Sequence, residues 1–66
     1  MRILVDMVVG TPGAQKHYYE IACLAADTKP VEGVAMGSKA IEVDTGDIYL
    51  FNETAHEWTK QFSLQG

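Results

Sequence analysis

Residues 37–51, GSKAIEVDTGDIYLF, constrain this chain more than any other stretch. Two short runs, residues 40–43 and 48–51, flank Asp44-Thr45-Gly46-Asp47. The runs are rich in β-branched and aromatic residues and the spacer is rich in turn formers, which together specify a β-hairpin. Pairing Val43 with Ile48 sets Ile41 opposite Leu50 and Ala40 opposite Phe51. Ile41, Val43, Ile48 and Leu50 then share one face, and Ala40, Glu42, Tyr49 and Phe51 the other. A one-residue slip would scatter the aliphatic set, so burial of one face disfavours it. Gly46 is the loop residue free to take a positive φ, and Asp44 is placed to accept hydrogen bonds from the turn backbone.

An apolar strand followed by Asp-Thr-Gly is also the signature of aspartic proteases, where two such loops bring two aspartates together to share a proton. A chain of this size could do so only as a homodimer. It is short for that fold, and the later apolar–apolar–Gly element that supports the protease loop is missing, since the only glycine after Asp47 is Gly66. The plain structural turn, Asp44 to Asp47, is the preferred reading.

Sixty-six residues bound the possibilities further. A domain this small buries only about 60 % of its unfolded surface. One cysteine allows no intrachain disulfide, and two distant histidines give no metal-site spacing, so neither a metal nor another cofactor is expected. Hydrophobic residues make up 47 % of the chain, a large share for so small an interior. Self-association is the remaining way to cover that surface, and a homo-oligomer is expected. The net charge of −4 and five scattered basic residues argue against nucleic-acid binding. The first apolar run is too short to cross a membrane or to form a signal core, and the lone cysteine fits synthesis in a cytoplasm.

Taken in order, residues 1–9, MRILVDMVV, alternate as a strand, with Ile3, Val5, Met7 and Val9 on one face and Asp6 interrupting the other. Such continuous apolarity predicts a strand covered over most of both faces. Ile3, Val5, Met7 and Val9 are the candidate oligomer contact, and Asp6 is expected to face solvent or cap a bulge. Residues 10–13 form a turn without the residues of a phosphate-binding loop. Residues 14–26 fit a short helix capped by Thr11, but the alternation of Tyr19, Ile21, Cys23 and Ala25 favours a strand over about 17–25. Cys23 reads as a small buried hydrophobe and His17 as a surface residue. Residues 27–36 are a connector bent by Pro30 and Gly33, able to pack as an arm over the sheet or against another subunit.

Residues 52–57 form a second polar turn, and residues 58–62 a last strand. Pairing Phe51 with Trp58 sets Tyr49 opposite Lys60. Tyr49, Phe51 and Trp58 then share a face, the candidate interaction surface, with Glu42 beside them in solvent. That surface supports an alternative function, a small β-sheet module binding a carbohydrate or other ligand. Glu42, Asp44 and Asp47 cluster at the hairpin tip as a solvated turn, too few oxygen ligands for calcium. Residues 63–66 are expected to be a loose tail.

Together, YEIACLAADTKP, then GSKAIEVDTGDIYLFN, then a tryptophan after a short polar turn, make a combination that resembles small structural proteins of tailed bacteriophages. The likeness covers residues 18–60. It implies a virion-associated head-fibre, decoration or tail-accessory protein, oligomeric, with a phage capsid or tail component as partner and no catalytic residues. The expected fold is mainly β, a small antiparallel sheet or meander with strands at about 2–9, 17–25, 39–44, 47–52 and 57–62. The expected function is non-enzymatic: self-association and docking within a virion, after synthesis in a bacterial host cytoplasm.

Overall fold

The hairpin at residues 39–52 sits at the centre of a five-stranded sheet in a computed structural model that describes residues 1–64. The strands are β1 (Arg2–Val9), β2 (Lys16–Cys23), β3 (Lys39–Glu42), β4 (Asp47–Asn52) and β5 (Glu57–Ser63). They lie side by side in chain order, and there is no helix among the described residues. The protein is therefore mainly β. The segment with helical potential is strand β2, which sets His17, Tyr19, Ile21 and Cys23 on one face.

One pair departs from the antiparallel expectation: β2 and β3 run parallel, whereas the other three neighbouring pairs are antiparallel. A parallel pair needs a crossover of a dozen residues or more. Residues 24–38 supply it and also cover one face of the sheet. Val34 and Ala35 of this crossover are buried, as are Ile21, Cys23, Ala40 and Phe51, and on the other face Ile48. On the way back the crossover pairs with the start of β2. His17 N–H donates to Gly33 O at 2.7 Å, and Ala35 N–H donates to His17 O at 2.8 Å. Ser38, fully buried, then takes the Tyr19 amide on its hydroxyl at 3.0 Å and donates to Ala35 O at 2.9 Å. Among the described residues, no buried side-chain nitrogen or oxygen lacks a hydrogen-bond partner.

The β3–β4 hairpin forms in a register two residues away from the expected one. Ile41 pairs with Ile48, Ala40 with Tyr49 and Lys39 with Leu50. Val43 leaves the strand and joins the loop. Gly46 becomes the last loop residue, at φ 77°, and its N–H reaches Glu42 O at 2.7 Å. A left-handed residue closing the loop fixes this register more firmly than the aliphatic pattern does. A slip of two preserves facing, so the two face sets remain as the sequence divides them. The roles of the faces are reversed, however. Ala40 and Phe51 lie in the core, while Val43 is 61 % exposed. In β5 the register is the expected one, Phe51 opposite Trp58 and Tyr49 opposite Lys60. Leu64 N–H ties the end of β5 to Gly46 O at 2.7 Å. Residues 65–66 of the expected loose tail lie outside the described residues.

Candidate assembly surface

The aromatic trio expected to form an interaction surface faces inward. Phe51 is buried, and Tyr49 and Trp58 are half-buried around it. Phe51 and Trp58 meet edge to face with ring centres 5.3 Å apart. The crossover lies over them: Trp58 Nε1–H donates to Pro30 O at 2.8 Å, and Lys29 Nζ stands 4.8 Å from the centre of the Tyr49 ring. The physical reason is the parallel β2–β3 pair, whose crossover has to pass over this face. The crossover thus covers part of the aromatic face that the sequence leaves open.

Glu42, expected in solvent, is buried in the same place. Its carboxylate accepts from Lys29 Nζ at 2.7 Å and from the Thr45 hydroxyl at 3.0 Å. Burial pulls the Lys29 pKa down, but the Glu42 hydrogen bond and the neighbouring Cys23, Glu42 and Tyr49 groups outweigh it, and the net shift is upward. The tip acids do not act together. Asp44 accepts the Ala25 amide at 3.0 Å and so fastens the start of the crossover instead of its own turn. Asp47 pairs with Lys60 at 3.4 Å. Among the described residues no three His, Cys, Asp or Glu side chains converge as a metal site.

Cys23 is buried, and its thiol donates to Ile41 O at 3.5 Å. Burial raises its pKa; the Lys29 charge opposes the rise, and Glu42 and Asp27 reinforce it. A thiol in this setting is a packing group with little thiolate character.

What remains uncovered is the first strand. All eight residues of β1 are exposed, and among the strands β1 touches only β2. Ile3, Leu4, Val5, Met7, Val8 and Val9 are all exposed, but the four expected to share one face do not. Ile3 pairs with Ile21 and Val5 with Glu20, so the extra residue between them turns Ile3 to the Val8 face and leaves Val5, Met7 and Val9 together on the other. The sequence predicts cover on both faces; in the single chain every residue of β1 is exposed, and the crossover meets the N-terminal segment at its own start, where Asp27 pairs with the Met1 amino group at 3.3 Å. The molecule measures 40 × 22 × 16 Å along its principal axes. Asp6 is the one charged side chain of β1 besides Arg2, and it binds His17 Nδ1 on β2 at 2.6 Å while stacking of His17 on Tyr19, with ring centres 5.6 Å apart, holds the imidazole. A β-bulge between Ile3 and Val5 breaks the ladder near the strand's start.

A second apolar area lies beside the end of the crossover. Met36 and Leu50 are exposed there and line, with Thr59 and Gln61, a shallow depression of about 320 Å³; Phe62 is exposed farther along β5. Sequence reasoning did not find it, because it follows from which face the crossover covers.

Comparison with protein-family models, with curated proteins and with solved structures gives no match.

Proposed function

We propose that this protein is a non-enzymatic structural or assembly component of a phage or prophage virion, acting by self-association and by docking on a capsid or tail protein. The observation that carries the reading is β1: eight exposed residues, six of them large and apolar, in a strand held by one neighbour. A surface of this kind in a water-exposed monomer is an aggregation hazard unless a partner covers it. The virion as the setting rests on the likeness of residues 18–60 to small phage structural proteins. The groups with chemical potential fit this reading, since Asp44, Glu42 and Cys23 are all occupied in holding the crossover or the core.

The test is composition. Particles purified from a host producing the protein, washed at high salt and analysed by mass spectrometry, are expected to contain it at a fixed ratio to the major capsid or tail protein. Its absence from washed particles overturns the virion assignment.

A further inference from the structure

From Val5 to Val9 the β1 ladder is regular, each residue facing one partner on β2 from Glu20 to Lys16. The other edge of β1 has no strand beside it among the described residues. Natural edge strands are protected by charge, proline or a covering element. Residues 5–9 contain no proline and one charge, Asp6, which His17 already engages. Over its two faces together, the six exposed aliphatic and methionine residues of β1 leave roughly 500 Å² exposed, more than half of one side of a standard interface.

Deepening the assembly reading, on which it rests, we infer that β1 pairs edge to edge and antiparallel with β1 of a second copy, about a two-fold axis through Met7. A two-fold axis sets the same segment against itself, so a single strand supplies both sides of the contact. Centring on Met7 uses the whole regular stretch: Val5 opposes Val9 of the second copy and Met7 opposes Met7. Centring on Asp6 would set two carboxylates opposite each other, which is unfavourable. Centring nearer the start would run into the bulge. In the Met7 register each Asp6 lies beside Val8 of the second copy and keeps its own His17. Val5, Met7 and Val9 of both copies form one apolar cluster on one face of a continuous ten-stranded sheet.

Cysteine crosslinking tests the register. Directly opposed residues of an antiparallel pair have Cα atoms about 4.5–5.5 Å apart, within disulfide reach, whereas two Val5 positions would be about 13 Å apart. Met7→Cys, Val5→Cys and the double variant Val5→Cys/Val9→Cys are oxidised mildly at a concentration where the wild type is associated, with buried Cys23 as the internal control and circular dichroism as the check on folding. Met7→Cys and the double variant are expected to give covalent dimers at least tenfold faster than Val5→Cys. An associated protein in which neither crosslinks faster than Val5→Cys overturns the edge pairing and leaves the assembly reading standing. A wild type that stays monomeric throughout overturns both.

Discussion

Lys29 and Glu42 form an ion pair of 2.7 Å with side chains only 12 % and 5 % exposed, and it joins the crossover to the strand beneath it. The two residues are thirteen positions apart in sequence. Glu42 has Thr45 as its second donor, and Lys29 has the Tyr49 ring as its second contact.

Removing one member leaves the other buried without its counter-charge. Lys29→Met is expected to destabilise the protein by about 3 kcal/mol, with Glu42→Gln costing somewhat less. The double variant Lys29→Met/Glu42→Leu should lose far less than the sum, because apolar packing replaces the pair. Urea unfolding at one fixed protein concentration measures all three, and additive losses would show that the pair is not coupled.

The upward shift of Lys29 gives a sign for alkaline pH. A group whose pKa is raised on folding contributes stability that is complete below its unfolded pKa and is lost as pH climbs through the folded value. The wild-type urea midpoint should therefore fall above about pH 10, and Lys29→Met should lack this component. Equal alkaline slopes in the two proteins would contradict the assignment.

Two loops of the same length close on a left-handed residue, Gly46 at φ 77° and His56 at φ 57°. Only the first is glycine. Gly46→Ala should cost about 1–2 kcal/mol. His56→Gly should relieve up to about 1 kcal/mol of backbone strain, less what is lost with the edge contact on Phe51 and the 3.4 Å pairing to Glu32. Opposite signs in thermal melts are the expected result.

Cys23 should be inert in the folded protein. Its thiol is expected to react with a disulfide reagent at least about 100-fold more slowly than in urea, because labelling requires the crossover to lift. Fast labelling of the native protein would mean that residues 24–38 open readily.

Strand positions were legible because β-branched and aromatic runs alternate with turn residues. Face membership in β3 and β4 was legible because it depends only on a period of two, which survives the register shift at Ile41 and Ile48; in β1 the bulge before Val5 breaks that period and turns Ile3 to the other face. Which face is buried was not legible. Residues 24–38 have no apolar period, so nothing local announces that Val34 and Ala35 fill the core or that Lys29 reaches Glu42. The serine that replaces a backbone partner for Tyr19 is equally silent in sequence. For the assembly surface, the apolarity of Ile3, Val5, Met7 and Val9 was plain. Its bareness was not, since an interior strand and an uncovered edge strand are written with the same residues.

Sedimentation equilibrium of the full chain over a wide concentration range, at low and high salt, addresses the central idea directly. The account predicts reversible association above the 7.2 kDa protomer, little weakened by salt and strongly weakened by Met7→Lys. A wild type that remains at the protomer mass up to millimolar concentration would contradict it.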